Sequence, residues 1–408
     1  MLKIGNVFFD RLTVFLTTLW LVSFTVFSTE SWGKYVYLLL TVAIFLVGAF
    51  QNGLKVDVAI EPFHICTMIF LVYGFTTYLW AIDGSYTINR MSTVAQTLVC
   101  MYLVYTCYRN DENSERLLNC VMWAGYIVVI YAIYYYGTAT IRAIIQAGSR
   151  IDNEFTNVNA IGMMAAYSLI ITFSKIINGH ASWSLFLSLP AMLMVIASGS
   201  RKAFIILGAG IFFVYLTHSM SKSKNPLQTL LKFGLVCLVS AIGLMIIWST
   251  PIFSPVTERL SQTLNQFTGN GRVDDSTIRR VWFIEIGLKQ FLKTPIQGIG
   301  IGNSLFIIGH DTYLHNNYVE ILACGGILGI AAFYCSYLYC APAILKSIKK
   351  YDEVSVLCLT FFILQLFMDF MQVSYFSKDT FFYFMIFFLQ TKRLRNNLKT
   401  CNRKEYVQ

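Results

Sequence analysis

Again and again this chain enters an apolar run of about 20 residues, the length an α-helix needs to cross a bilayer. The runs fall near 12–29, 35–51, 63–82, 92–108, 118–137, 159–177, 183–199, 203–218, 231–250, 318–345, 354–373 and 379–391. That pattern predicts about twelve spans. With 56% hydrophobic and only 13% charged residues, a 408-residue chain cannot hide so much apolar surface in one water-soluble core. The expected fold class is all-α: a polytopic integral membrane protein with a long extracytoplasmic loop containing short helices. The apolar stretch from Phe8 to Phe27 is too long for a secretory signal peptide and lacks a small-residue cleavage site.

Lysine and arginine set the orientation. A cytoplasmic N-terminus gathers Lys3, Arg11, Lys55, Arg109, Arg116, Lys175, Lys222, Lys224, Lys232, Lys346, Lys349, Lys350 and the tail cations on the inner side. The short outer loops then hold only Lys34, Arg90, Arg142, Arg150, Arg201, Lys202 and Lys378. Both termini are therefore expected inside. Four regions follow: transmembrane helices over 1–250, an extracytoplasmic catalytic loop over 251–317, further transmembrane helices over 318–391 and a basic cytoplasmic tail over 392–408. The net charge of +10 lies largely in short loops and that tail, where it meets anionic headgroups, so nucleic acid is discounted. No cysteine falls between Pro251 and Val319, which excludes a disulfide framework or thiolate metal site in the loop.

The polar interlude from Gly271 to Gly329 carries the residues suited to chemistry. Taken as a helix, 277–293 places Val281, Ile284, Leu288, Phe291 and Leu292 on one apolar stripe, with Arg280 at its edge and Arg279 opposite. An inward guanidinium needs a partner, either a phosphate held bidentately or a salt bridge to Asp274, Asp275 or Glu285. Arg201 occupies a turn between two spans, as an interfacial snorkelling residue or a substrate contact. His315 precedes an apolar run with Asn316 or Asn317 as its N-cap. The positive end of a helix favours neutral imidazole, a competent general base, whereas interfacial hydrogen bonding is the plainer reading and the one assigned to His310. His64, His180 and His218 read as structural. Gly298, Gly300 and Gly302 follow a helix rather than a strand, which excludes a dinucleotide loop and suggests a tight turn joining two helices. Carboxylates show no metal-ligand spacing, so no metal is expected. Asp369 is the one obvious charge expected well inside a span.

Four segments carry a likeness: FTNVNAIG at Phe155–Gly162, ASGSRKA at Ala197–Ala203, the block from Arg280 through GLKQFLKTPIQGIGIGN to Asn303, and HNNYVEILACGGILG at His315–Gly329. With them in this order, the chain resembles the bacterial O-antigen ligase/polymerase family of polytopic glycosyltransferases. The resemblance implies cofactor-free, metal-independent, inverting transfer of glycan from undecaprenyl diphosphate, at the outer face of the cytoplasmic membrane. It implies that Arg201 and Arg280 hold the diphosphate and His315 serves the acceptor hydroxyl. Arg279, Arg150, Asn159, Asn316, Asn317 and Glu320, carried by the same outer segments, are expected as further substrate contacts. Implied partners are undecaprenyl-diphosphate-linked oligosaccharides, membrane lipid, and a chain-length regulator and flippase of the same pathway. The reading is a repeat-unit polymerase for O-antigen or capsular polysaccharide. A ligase would use the same donor with lipid A core or another terminal acceptor. A transporter of lipid-linked sugar ranks third, because such proteins place ionisable groups at the bilayer midplane.

Reporter fusions at Lys222 and Lys349 are expected to read cytoplasmic, and one near Asn270 external. A cytoplasmic signal at Asn270 would overturn both the orientation and the chemistry.

Overall fold

A computed structural model of the chain describes residues 2–27, 30–51, 53–54, 59–109, 114–147, 149–152, 156–180, 183–222, 234, 261, 275–309, 312–347 and 352–405. Among the described residues the regular elements are helical. They are α1 Leu2–Val26, α2 Gly33–Gln51, α3 Pro62–Thr76 with a 3₁₀ turn at Thr77–Trp80, α4 Gly84–Tyr108, α5 Ser114–Tyr136, α6 Thr138–Gln146 and α7 Val158–Ile177. Then come α8 Ser184–Ser198, α9 Arg201–Lys222, α10 Asp275–Lys293, the short α11 Leu305–Ile308, α12 Asn317–Lys346, α13 Glu353–Met368 and α14 Lys378–Glu405.

Seven of the described helices are long and apolar enough to cross a membrane, which makes this a multi-pass membrane protein. The expectation of twelve spans is larger. Helices α8 and α13 are apolar but shorter, and the runs at 92–108 and 379–391 lie inside α4 and α14, which fall outside the seven. The run at 231–250 lies outside the described residues. Helix α13 stops at Met368, so Asp369 is not inside a span as expected but in the turn beyond the helix end.

Contacts divide the chain into two units. The first comprises Met1–Leu40, Glu115–Val273 and Lys346–Phe361. Here α7 packs against α5, α8 and α9 through small residues, as helices do where lipid is as apolar as leucine. A Cβ on Gly125 would lie 2.1 Å from Ser168 Oγ, and that hydroxyl donates to the Met122 carbonyl at 2.8 Å. Tyr126 and Thr172 share a hydroxyl hydrogen bond of 2.7 Å.

The second unit comprises Thr41–Ser114, Asp274–Leu345 and Phe362–Gln408. Its defining feature is a break in α12 at Gly326, where φ is 62° and ψ is −163°. The peptide groups on either side are taken up by the Pro295–Asn303 turn. The N–H groups of Ile299 and Gly300 donate to the carbonyls of Ala323 and Cys324 at 3.2 and 2.8 Å. In return the N–H groups of Ile327 and Leu328 donate to the carbonyls of Pro295 and Ile296 at 2.9 and 3.3 Å. Tyr73 seals the break by donating its hydroxyl to the Gly325 carbonyl at 2.5 Å. The far side of the turn is held equally firmly: Asn303 Oδ1 accepts from the Asp83 N–H at 2.8 Å, and Ile301 N–H donates to Thr77 Oγ1 at 3.0 Å. The expected glycine-rich turn joining two helices is therefore present, and it joins them backbone to backbone. A separate cluster ties α14 to the start of α3. There Glu61 accepts from Lys392 Nζ at 2.8 Å and from the Tyr105 hydroxyl at 2.6 Å.

Only glycine fits at this junction. A Cβ on Gly326 would sit 2.2 Å from the Ile296 carbonyl oxygen, and one on Gly298 would sit 2.3 Å from the Cys324 carbonyl carbon. Gly309 also has a positive φ, 72°, but has nothing within 4 Å of a built Cβ. Gly326→Ala and Gly298→Ala are expected to lower the melting temperature in detergent far more than Gly309→Asn, which keeps a tolerated left-handed residue in open space. Equal losses from all three would show that the backbone pairing does not hold the unit together.

Candidate functional site

Helix α10 occupies the position expected for 277–293 but presents a different face to the protein. Phe283 is 5% exposed and joins Ile308, Leu314, Val319 and Ala323 in a core, with Ile284 packed against it. Gly287 brings α10 closest to its neighbours: a Cβ there would lie 2.4 Å from Val319 Cγ1 and 2.8 Å from Leu314 Cδ1. The buried face thus runs through Arg280, Phe283, Ile284 and Gly287. The expected stripe is corrected, since Val281, Leu288 and Leu292 are 47%, 42% and 76% exposed. Counting apolar residues misplaced the face, because the residue that sets the approach is a glycine. Arg279 is exposed and Arg280 half-buried, so the two adjacent cations do part, on a different axis from the one expected. Of the acids expected near Arg280, Glu285 pairs with Lys289 at 2.6 Å, and Asp274 lies outside the described residues.

His315 sits immediately before the cap of α12, with φ at 57°. Non-glycine residues are uncommon in this left-handed region, although histidine is among those enriched there, and holding one costs on the order of 1–3 kcal/mol. The imidazole stacks on Phe283 with ring centroids 5.9 Å apart and planes at 13°, and Tyr313 lies 4.5 Å away on a tilted contact. Arg280 precedes Phe283 by three residues on one helix face, a spacing that puts Cβ atoms about 5–6 Å apart. Arg280 is therefore one turn from the phenyl ring on which His315 stacks.

The left-handed turn is fixed by the residues that follow it. Asn316 is the N-cap, its Oδ1 accepting from the Val319 N–H at 3.1 Å. Asn317 Oδ1 accepts from the N–H groups of Ser374 and Tyr375 at 2.9 and 3.0 Å, and its N–H donates to the Asp369 carbonyl at 2.7 Å. Glu320, only 1% exposed, accepts from the Leu314 N–H at 2.8 Å and the Ser304 hydroxyl at 2.7 Å. Of these three side chains, expected as substrate contacts, Asn317 and Glu320 spend both polar ends on the protein and Asn316 spends its Oδ1, so that they hold the turn at His315. His310 lies outside the described residues.

The remaining expected residues gather at one end of the first unit. Helix α8 closes on Gly199 in the left-handed conformation, and α9 starts at Arg201. The Ile151 N–H donates to the Ala197 carbonyl at 3.1 Å, which brings Arg150 to that turn. Helix α7 starts beside it: Asn157 caps the helix by accepting from the Asn159 N–H, and a Cβ on Gly162 would lie 2.5 Å from Ser198 Oγ. Arg150, Asn159 and Arg201 are all half-buried.

Sequence reasoning passed over Arg90, treated only as a loop cation. Its guanidinium lies 4.1 Å over the Phe376 ring, and Phe376 meets Tyr313, the neighbour of the His315 ring. No local pattern could reveal this, since the contact joins residues from opposite ends of the chain. Among the described residues no three His, Cys, Asp or Glu side chains stand together as metal ligands.

Residues 183–334 match the family model described as O-antigen ligase, a span that includes Arg201, Arg280 and His315. Over that span the chain is similar to the O-antigen ligase family. It is also similar to the teichuronic acid biosynthesis protein TuaE of Bacillus subtilis (strain 168), with 25% identity over 292 residues. That alignment covers 66% of this chain and 57% of the relative, so the chain spans little more than half the length of the curated protein it matches.

Glu320→Ala would leave two buried donors unpaired, at about 1–3 kcal/mol each, and should lower the melting temperature along with any activity that depends on His315. Glu320→Gln should restore both, because the amide oxygen can accept from Leu314 while its NH₂ donates to the Ser304 hydroxyl. A Gln variant of normal stability and no activity would instead give the carboxylate a direct role toward substrate.

Proposed function

We propose that this chain is a membrane glycosyltransferase that polymerises oligosaccharide repeat units carried on undecaprenyl diphosphate. The observation that carries the reading is left-handed His315 stacked on Phe283, one helical turn from Arg280, with the nearby carboxylate of Glu320 turned inward and saturated. In the proposed reaction an acceptor sugar hydroxyl attacks the anomeric carbon of the lipid-linked chain. A glycosidic C–O bond forms as the bond from carbon to diphosphate oxygen breaks, and the electron pair leaves with the diphosphate. His315 takes the hydroxyl proton. The growing charge on the diphosphate is met by Arg280, whose planar fork suits phosphate oxygens. Arg90 extends the cationic surface along the Phe376–Tyr313 side, where a sugar ring can lie against aromatic faces. A single displacement inverts the anomeric centre. The donor is presented at the outer face of the cytoplasmic membrane.

The relative named for teichuronic acid biosynthesis supports a surface glycan as product. The ligase reading keeps the same donor and the same residues, and the description of the matched family favours it. The two differ only in acceptor. Purified protein in proteoliposomes, given undecaprenyl-diphosphate-linked repeat units alone, yields a product ladder if it is a polymerase. Addition only to a separate terminal acceptor would favour ligase, and no transfer to any acceptor would overturn both.

His315→Ala should lower transfer by about 10²–10⁴, the usual worth of a general base, while donor binding persists. Wild-type activity should fall at acid pH as the imidazole takes up a proton, and the variant should lack that limb. An active His315→Gln enzyme with an unchanged pH profile would make the residue a scaffold. Arg280→Ala should weaken donor binding and turnover together, and Arg280→Lys should recover only part, because ammonium keeps the charge without the fork.

A further inference from the structure

The geometry points to α10 as a helix lying in the membrane interface, with its outer face seated on anionic phospholipid. Opposite the Phe283–Gly287 face, Val281, Leu288 and Leu292 share a sector of about 40° at 100° per residue. Leu292 is 76% exposed, and Trp282 and Ile278 widen the apolar surface. Lys289 and Lys293 border it on the Trp282 side, and Glu285 is paired with Lys289. An apolar stripe flanked by cations and a tryptophan is the pattern of a helix lying along a bilayer surface.

The contacts of α10 set its depth. Its inner face rests on Val319 and Ala323, in the first two turns of the membrane-crossing α12, and the Pro295–Ile296 turn after it pairs with Ile327 and Leu328. Broken at Gly326, α12 runs about 13 Å over 317–325 and about 30 Å over 327–346, so the second segment alone matches a hydrocarbon core of about 30 Å. The turns before the break are left for the headgroup layer. An apolar surface at that level meets acyl chains, and cations beside it meet lipid phosphates. Trp80, whose indole N–H donates to the Gln297 carbonyl at 3.1 Å, stands at the same turn, as aromatic side chains do at membrane interfaces. A second copy of this chain is the poorer occupant, because self-pairing of this face would bring Lys289 and Lys293 against like charges. The inference rests on the proposed chemistry only in its consequence: the lipid would fix the level at which Arg280, on the inner face of the same helix, meets a diphosphate.

The test introduces photoreactive benzoylphenylalanine at Leu288, at Leu292 or at Phe283 in the full chain, reconstituted in vesicles of phosphatidylethanolamine and phosphatidylglycerol. Illumination should attach phospholipid at Leu288 and Leu292, and should join Phe283 to the chain's own α12 peptide. Lys289→Glu combined with Lys293→Glu should cut phosphatidylglycerol adducts at Leu292 several-fold relative to vesicles of phosphatidylcholine. Covalent dimers, or probes at Leu288 and Leu292 that yield no lipid adduct, would overturn the inference. Lipid adducts in a protein inactive toward every glycan acceptor would sustain it while removing the catalytic reading, and transfer without lipid adducts would do the reverse.

Discussion

A helix crossing a bilayer has no water to fall back on, so every peptide group it exposes by bending must find a partner within the protein. Gly326 bends α12 in this way, and the Pro295–Asn303 turn supplies the partners on both sides of the break. The exchange is reciprocal, since the turn offers donors to Ala323 and Cys324 and acceptors to Ile327 and Leu328. Neither element can keep its conformation without the other. The positive-φ glycines at 298, 300 and 302 are where the turn comes nearest to the helix backbone or to the residues around Ala81 and Arg90.

From this junction a chain of hydrogen bonds leads to the histidine. Asn303 ends the turn and is fixed by Asp83 and Thr87. The next residue, Ser304, donates to Glu320, and Glu320 in turn holds the Leu314 N–H, the residue before His315. Asn317 anchors the other side of the turn to the 369–375 segment through backbone donors of Ser374 and Tyr375. The unfavourable left-handed backbone of His315 is thus over-determined, which is the condition under which such strain persists. Buried polar residues around the histidine look functional in a sequence because they are polar in an apolar chain. In three dimensions their atoms are already engaged.

The fold class and the helical character of the polar interlude were legible from the sequence, because hydrophobic runs of spanning length leave few alternatives. The number of spans was not, since α8 and α13 are apolar yet short and 92–108 sits within a longer, more polar helix. Asp369 shows the same limit from the other side: hydropathy carried the run to residue 373, but the helix stops at Met368, where Asp369 turns to bind Asn317, Tyr334 and Ser374. Arg280 was picked from its spacing and position, and the structure does turn it inward. The face to which it belongs was misassigned because helical periodicity is blind to a glycine contact such as Gly287 on Val319. Arg90 was beyond reach altogether, since only the folded chain brings it to Phe376.

The error over α10 has a physical content of its own. In a water-soluble protein a helix with two apolar surfaces would bury both, and the wider stripe of Val281, Leu288 and Leu292 would be the one facing the core. Here the narrower face, with one phenylalanine and a glycine, packs on α12, and the wider one stays exposed. The preference inverts because an apolar surface costs nothing where hydrocarbon is the solvent, so packing is decided by how closely backbones can approach. Gly287 permits that approach and the leucines do not. A half-buried arginine then belongs on the packed face rather than the exposed one, where it would stand among leucines. The same rule that hides the helix phase from a hydrophobicity count places Arg280 on the protein side, one turn from the phenylalanine on which the imidazole stacks.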